Sequence, residues 1–299
     1  MVRENKLIVI VGPTAVGKTA AAIHLASRLS TEIISADSRQ LFKELTIGTA
    51  KPTAEELAAV PHHFINYKSI EEDYDAATYG EEAFQLIMRL FEQHDTLVLC
   101  GGSGLYVKAL LEGFDEMPEI PAGLREAINH DFHEKGLPWL QEEMRIADPV
   151  YFAQVDTQNP QRLIRGLEIV RASGKAVMFF RKKNKKVLPF KVAKFGLELP
   201  REVLYARIDT RVDEMIRLGL FEEAAQFYPR KELNALQTVG YQELFGWMDG
   251  NYDREEAIRL LKRNTRHYAK RQMTWFKRDE EISWMSPEKI ISNDVNLGL

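Results

Sequence analysis

Short apolar runs alternate with amphipathic stretches along the first hundred residues of the chain. Apolar residues fill positions 7–11, and further strand-like segments follow at 32–37 and 96–100. Between these runs, residues 20–29 and 78–94 place apolar positions at helical spacing. Strands and helices that alternate in this way predict an α/β fold, in which a parallel sheet is flanked by helices.

The alternation breaks down after residue 116. Residues 117–192 are helical in pattern, polar and interrupted by prolines. We therefore expect a helical insertion domain at 117–192, set into a catalytic core formed by 1–116 and 193–299. The last core strand is expected at 192–199. Further helices are expected at 201–218, 221–228 and 254–276.

Composition indicates a globular protein with a real core, since 45% of the residues are hydrophobic and 28% are charged. The single cysteine, Cys100, excludes a disulfide framework and suits a reducing cytoplasm. No run approaches the ~18 apolar residues that a membrane span requires. Because only a few residues precede the first strand, we expect no secretory signal. We expect a cytoplasmic monomer without membrane partners.

Positive charge is concentrated in two stretches, although the net charge is −4. Residues 175–194 and residues 259–278 each contain eight Lys or Arg and no Asp or Glu. Such stretches are typical of a polyanion-binding surface, but solvated helix faces remain an alternative. In the second stretch, four cations at helical spacing form a stripe: Arg259, Arg263, Arg266 and Lys270.

The residues after the first apolar run match the P-loop pattern G-x-x-x-x-G-K-[ST], with a strand before and a helix after. The glycines let backbone N–H groups and the helix N-terminus face phosphate oxygens. Lys18 is expected to reach the terminal phosphates, and the Thr19 hydroxyl to hold Mg²⁺. A plain glycine turn would need neither residue. The predicted phosphate-binding residues are Gly12, Pro13, Thr14, Ala15, Val16, Gly17, Lys18 and Thr19.

Two further strand ends provide candidate functional residues. Asp37 ends the run at 32–37, at the sheet edge where α/β folds bind ligands, and is expected to face the P-loop ligand. Three glycines and Ser103 follow the run at 96–100. A Gly-Gly-Ser-Gly sequence is a weak signal by itself, but its place at a strand end makes it a candidate ligand contact.

Signals for other chemistry are absent. The run at 96–100 ends in glycine rather than in the magnesium-binding Asp of ordinary P-loop NTPases. Residues 184–187 begin with Asn-Lys but lack the Asp of the guanine-reading motif. The paired His62 and His63 have no further ligands at metal-binding spacing, so we interpret them as structural. The loop is therefore expected to hold a diphosphate without hydrolysing a nucleotide.

With these residues identified, the chain resembles the tRNA dimethylallyltransferases (tRNA isopentenyltransferases) over nearly its whole length. A P-loop alone occurs in very many proteins, whereas the ordered set of blocks is far more specific. The matching blocks are residues 12–19, 35–40, 47–52, 61–63, 101–106, 159–162, 239–242 and 265–272.

The resemblance implies a P-loop kinase-like core with a helical insertion, Mg²⁺ as cofactor and dimethylallyl diphosphate as substrate. It implies a tRNA partner, bound through its anticodon stem-loop. The adenosine just 3′ of the anticodon would be prenylated on its exocyclic N6 amine, with release of diphosphate. Nucleotides such as ATP are expected to compete for the same P-loop amides.

The resemblance also implies roles for individual residues. Asp37 matches the family's general base, and Ser103 keeps the hydroxyl of the threonine that is more usual at its position, so both are expected to be catalytic. Arg211 is expected to bind the diphosphate. The residues expected to contact tRNA are Asp37, Ser38, Arg39, Gln40, Gln161, Arg162, Leu163, Ile164, Arg165, Gly240, Tyr241 and Gln242.

Elementary chemistry supports this assignment independently. Displacing diphosphate from an allylic carbon builds negative charge, at which the P-loop amides, Lys18 and Mg²⁺ are aimed. The attacking amine must lose a proton, so a carboxylate such as Asp37 is needed nearby. Two other classes stay open. A small-molecule or nucleotide kinase would not explain the basic stretches. An RNA-binding P-loop module without catalysis would explain them but would leave Asp37 and Ser103 without a role.

Overall fold

The first apolar run lies near the centre of a parallel sheet. The computed structural model describes residues 4–181 and 186–292. Within these residues the sheet has six strands: β1 (Lys6–Val11), β2 (Ile33–Ser35), β3 (His62–His63), β4 (Thr96–Gly101), β5 (Lys191–Leu197) and β6 (Ser283–Met285). All neighbours pair in parallel, in the order β3-β2-β4-β1-β5-β6.

Helices follow most strands and cover both faces of the sheet. Their bounds are α1 (Lys18–Arg28), α2 (Ala54–Ala59), α3 (Ala76–Leu90), α4 (Gly104–Glu112), α5 (Leu124–Ala147), α6 (Pro149–Phe152), α7 (Pro160–Ser173), α8 (Val177–Phe180), α9 (Arg201–Arg217), α10 (Leu220–Phe227), α11 (Tyr241–Met248), α12 (Arg254–Phe276) and α13 (Pro287–Ile291). None of the helices in the described part of the chain is long and apolar enough to cross a membrane.

Side chains of β1 alternate between two apolar clusters. Leu7, Val9 and Val11 belong to one cluster, and Ile8 and Ile10 belong to the other. A strand covered on both faces must be apolar at every position, which explains the unbroken run in the sequence. The predicted parallel α/β class is confirmed.

The chain divides into two compact units, with boundaries between Leu111 and Glu112 and between Lys186 and Val187. The first unit contains the sheet. The second is helical and has an apolar core of its own, and its bounds lie before the expected 117 and 192 at both ends. In the basic stretch 175–194, residues 182–185 lie outside the described residues.

The expectation that the strand at 192–199 is the last in the core is wrong. That strand is β5. A further strand of three residues, β6, follows α12 in the sequence and pairs with β5, with Phe195 opposite Ser283. β6 is too short to show an alternating pattern in the sequence. Its pairing continues the sheet on the side of β1 opposite to β4.

Candidate active site

The turn after β1 has the backbone that a phosphate-binding loop requires. Positive φ angles occur at Gly12 (149°), Ala15 (63°) and Gly17 (107°), and α1 starts at the next residue, Lys18. Residues with left-handed φ angles change the direction of successive peptide groups within a short span. The loop therefore ends at a helix N-terminus, where backbone N–H groups have no partner within the helix.

Lys18 is the first residue of α1, and its side chain turns back towards this loop. Its Nζ donates a hydrogen bond to the Pro13 carbonyl oxygen at 2.7 Å. Burial lowers the pKa of Lys18 to about 8, an effect that the carboxylate of Asp37 opposes and the guanidinium of Arg211 reinforces. Lysine is thus close enough to both groups for their charges to act on it.

A cavity of about 510 Å³ opens beside the loop, and every residue that lines it belongs to the first unit. Most of the predicted phosphate-binding residues and part of the predicted tRNA-contacting set meet here. The predicted residues that line the cavity are Thr14, Ala15, Gly17, Lys18, Thr19, Asp37, Arg39, Gln40, Arg211 and Gly240. Gly12, Pro13 and Val16 shape the loop without being part of the lining.

Asp37 enters the cavity from the end of β2. Its Oδ1 accepts hydrogen bonds from the backbone N–H groups of Arg39 (2.9 Å) and Gln40 (3.2 Å), which fixes the carboxylate at the start of its loop. The ends of β2 and β4 approach closely, because a Cβ on Gly101 would lie only 2.1 Å from the Ala36 carbonyl oxygen. Because Gly101 has no side chain, the segment that carries Asp37 can pack closely against the end of β4, the strand next to β1.

Ser103 ties the glycine-rich loop to the Asp37 loop. Its Oγ accepts the N–H of Ser38 at 2.9 Å and donates to the Ser38 hydroxyl at 3.1 Å. Although Ser103 is among the described residues, it is not part of the cavity lining. Its hydroxyl positions Ser38 and the Asp37 loop. The direct catalytic contact expected of Ser103 stays a prediction.

The other residues of the Asp37 loop also hold neighbouring segments. Arg39 donates from Nη1 to the Asn234 carbonyl oxygen at 2.9 Å, and burial lowers its pKa. The Gln40 amide donates to the carbonyl oxygens of Thr49 (3.2 Å) and Ala50 (3.0 Å). This loop is therefore braced on both sides of the cavity.

Two arginines on α9 face the P-loop. Arg211 Nη1 lies 3.3 Å from the Thr14 hydroxyl, and burial lowers the pKa of Arg211. Arg207, one turn earlier, also lines the cavity, and a Cβ on Gly17 would lie 3.6 Å from its Nη2. The sequence prediction named Arg211 alone. The i,i+4 spacing of the two arginines was the signal that could have identified Arg207.

Helix α12 forms part of the cavity wall. Two of its residues there, Tyr268 and Gln272, are not among the predicted site residues. The buried Gln272 accepts the Thr14 N–H at 2.8 Å and donates to the Gly102 carbonyl oxygen at 2.9 Å, so it joins the two glycine-rich loops. Tyr268, one turn earlier, lines the cavity, and burial together with the Asp37 charge raises its pKa. Both lie in a block that supports the family resemblance, which was the available signal.

The segment at 240–242 contributes less RNA-accessible surface than expected. Gly240 lines the cavity, but the side chain of Tyr241 is wholly buried and donates its hydroxyl to Glu223 Oε1 at 2.7 Å. Direct RNA contact by the Tyr241 ring is excluded in this conformation. Gln242 is exposed and donates to Gln237 Oε1 at 2.8 Å.

In the second unit, the predicted tRNA-contacting residues separate into exposed and buried ones. Gln161 and Arg162 are exposed at the start of α7, whereas Leu163 and Ile164 are 0% and 3% exposed in the core of the unit. The expectation that Leu163 and Ile164 contact tRNA is therefore wrong for their side chains, because the helix turns them inward. Arg165 donates to the buried Glu168 at 2.9 Å.

Two of the four cations in the basic stripe on α12 pair with carboxylates that lie outside the acid-free stretch. Arg259 pairs with Glu256 on the same helix, and Arg266 pairs with Asp209 on α9 at 2.5 Å. Arg263 donates to Asn264 at 3.1 Å. The stripe therefore has less excess positive charge than its sequence indicates.

The cavity offers oxygen ligands for a magnesium ion. Among the described residues, no group of three or more His, Cys, Asp or Glu side chains could hold a metal by itself. Mg²⁺ commonly takes one or two protein oxygens and completes its shell with substrate phosphates and water. The hydroxyl of Thr19, which lines the cavity, fits that requirement.

Known proteins are similar to this chain in sequence. A family model described as IPP transferase matches residues 40–279. A tRNA dimethylallyltransferase of Cytophaga hutchinsonii is 52% identical, covering 95% of this chain and 93% of that protein. A tRNA dimethylallyltransferase 1 of Bacteroides fragilis is 47% identical, covering 95% and 94%.

Solved structures agree. The full-length tRNA isopentenylpyrophosphate transferase of Bacillus halodurans matches with a TM-score of 0.71 at 37% identity, covering 97% of this chain and 94% of that one. A eukaryotic dimethylallyltransferase acting on tRNA matches with a TM-score of 0.77 at 25% identity, covering 95% and 74%.

Proposed function

The chain belongs to the IPP transferase family, that of the tRNA dimethylallyltransferases. From this premise we propose how its cavity carries out the transfer of a prenyl group to tRNA. The protein is an enzyme that prenylates an adenosine of tRNA. The donor is dimethylallyl diphosphate. The acceptor is the exocyclic N6 amine of the adenosine immediately 3′ of the anticodon, and diphosphate is released.

The observation that carries this proposal is the division of the cavity into a cationic side and a carboxylate. Lys18, Arg207 and Arg211 line the side next to the P-loop, and Asp37 lines the same space from the end of β2. Cations and backbone amides that are fixed before the reaction stabilise negative charge as it develops on a leaving group. The cationic side therefore suits the departing diphosphate.

Asp37 acts on the acceptor. As the N6 nitrogen forms its bond to the allylic carbon and the carbon–oxygen bond to diphosphate breaks, the nitrogen must lose a proton. The carboxylate of Asp37 receives that proton. Backbone N–H groups bind only its Oδ1, so Oδ2 has no hydrogen-bond donor among the described residues and is available for the transfer.

The adenine must leave its stack in the anticodon loop to reach this carboxylate. Exposed residues such as Gln161 and Arg162 would hold the RNA while this happens. Thr19 would hold Mg²⁺ together with the diphosphate oxygens, and the ion would add positive charge against the leaving group. We place the enzyme in the cytoplasm as a monomer.

Incubation with labelled dimethylallyl diphosphate and unmodified tRNA tests the proposal. Digested tRNA should contain N6-dimethylallyladenosine next to the anticodon, and one diphosphate should appear for each prenyl group. A parallel incubation with ATP and small hydroxyl acceptors tests for a kinase. Consumption of ATP without prenyl transfer would overturn the proposal, as would tRNA binding with no product.

A further inference from the structure

Four hydrogen bonds converge on the carboxylate of Glu223, on α10. Oε2 accepts from the backbone N–H groups of Thr46 (3.2 Å) and Ile47 (2.8 Å). Oε1 accepts from the N–H of Gly48 (2.8 Å) and from the hydroxyl of Tyr241 (2.7 Å). Three successive amides that point at one anion form a concave site for negative charge, and Glu223 fills it.

The two segments that Glu223 joins are walls of the cavity. Residues 48–53 line one part of it, and residues 238–240, directly before Tyr241, line another. The two walls also touch, because a Cβ on Gly48 would lie 2.6 Å from the Tyr241 ring. A single carboxylate outside the cavity lining therefore fixes two pieces of that lining against each other.

Hydrogen bonds continue from this point to Asp37. The loop that begins at Gly48 presents the carbonyl oxygens of Thr49 and Ala50 to the side-chain amide of Gln40, at 3.2 and 3.0 Å. The backbone N–H of Gln40 in turn donates to Asp37 Oδ1 at 3.2 Å. The segment that Glu223 holds therefore supports Gln40, whose backbone N–H helps to orient Asp37, the proposed general base.

We propose that Glu223 is a positioning residue for the acceptor side of the transfer: it aligns residues 48–53 and 238–240 so that the adenosine meets Asp37. This proposal rests on the function proposed above. A carboxylate is required because it only accepts hydrogen bonds. A glutamine amide would turn an NH₂ group towards either the Thr46 and Ile47 donors or the Gly48 donor.

Glu223→Gln tests the proposal, with Glu222→Gln as a matched control on the adjacent, exposed residue. For Glu223→Gln we expect the KM for tRNA to rise by roughly 10- to 100-fold, the range for losing hydrogen bonds to a charged group. The Kd for dimethylallyl diphosphate, measured without tRNA, should stay within about threefold because the P-loop side is untouched. Glu222→Gln should match the wild type in both.

Both measurements are made where thermal unfolding shows the variants to be folded. If Glu223→Gln does not fold, Tyr241→Phe removes one of the four hydrogen bonds and should raise the KM for tRNA by roughly 2- to 10-fold. Equal KM values for the Glu223 variant and its control would overturn the proposal. A parallel loss of tRNA and diphosphate binding would also overturn it, since that outcome indicates general support of the fold. An inactive wild type would refute the proposed function instead.

Discussion

The affinity of this enzyme for its allylic diphosphate should fall as pH rises through 8. Burial lowers the pKa of Lys18 to about 8, so the ammonium that meets the phosphates is lost from the ligand-free enzyme above that pH. If only the protonated form binds well, the Kd rises by about tenfold between pH 7 and pH 9. Protonation of the ligand contributes little to this change in Kd, because a terminal phosphate loses its last proton near pH 6, to within about a unit.

The same pKa predicts proton uptake on binding. At pH 8 about half of the free enzyme has a neutral Lys18, and the bound diphosphate restores its charge, so about half a proton is taken up per ligand. Calorimetry in two buffers of different ionisation enthalpy measures this uptake. Lys18→Met should bind weakly at every pH, with no uptake from this group. A wild-type Kd that is flat to pH 9.5 would refute the argument.

Lys18 should also reduce the stability of the ligand-free protein. Its folded pKa of about 8 lies below the ordinary 10.5, so the folded state binds fewer protons between these values and stability rises with pH across that window. At pH 7 the cost is at most about 3.5 kcal/mol, since the pKa falls from 10.5 to about 8 and each pKa unit corresponds to about 1.4 kcal/mol. Lys18→Met should therefore raise the free energy of unfolding at pH 7 in urea titrations. A less stable variant would contradict the burial argument.

Three further outcomes follow from the site. Asp37→Asn keeps the Oδ1 acceptor but loses the base, so single-turnover rates should fall by roughly 10²–10⁴-fold with diphosphate affinity nearly unchanged; a near-normal rate would end the assignment. Arg162→Ala should reduce the slope of log K for tRNA binding against log salt concentration by about 0.7–0.9. Arg266→Ala should leave that slope unchanged, because Asp209 already balances the charge of Arg266. Equal slopes for the two variants in filter-binding titrations would refute this contrast. Leu163→Ala should cost about 2–5 kcal/mol in urea unfolding, as expected for a wholly buried leucine, and a loss of RNA affinity without a loss of stability would return Leu163 to the interface.

The part of the site that could be predicted is the part encoded locally. The apolar run, the glycines and Lys18 are adjacent in the sequence, and their backbone conformations depend mainly on their neighbours. Asp37 follows from the same logic, because the carboxyl ends of parallel strands share one edge of the sheet. Sequence patterns identify such residues before any packing is known.

The rest depends on contacts between distant segments. The neutralisation of Arg266 by Asp209 joins two helices, and nothing near Arg266 in the sequence indicates a carboxylate. Gln272 and Glu223 resemble ordinary helix residues until their partners, Thr14 and Gly48, are placed beside them. Leu163 lies in the block for which the resemblance implies tRNA contact, yet it lies about 100° around the helix from Arg162 and its side chain is buried in the core of the second unit.

Charge in the cavity explains why a diphosphate should order this site. Burial lowers the pKa values of both Lys18 and Arg211, and Arg207 lowers that of Arg211 further, while Asp37 opposes the change in each. Glu56, which also lines the cavity, opposes the change at Arg211 as well. The ligand-free cavity therefore holds cations that two carboxylates satisfy only in part. A bound diphosphate supplies the missing negative charge, and it stabilises the folded state by about 2.7 kcal/mol at a hundred times its Kd. The loops that carry Lys18 and Asp37 are joined through Gln272 and Ser103, so that stabilisation extends from the diphosphate to the base before the adenosine arrives.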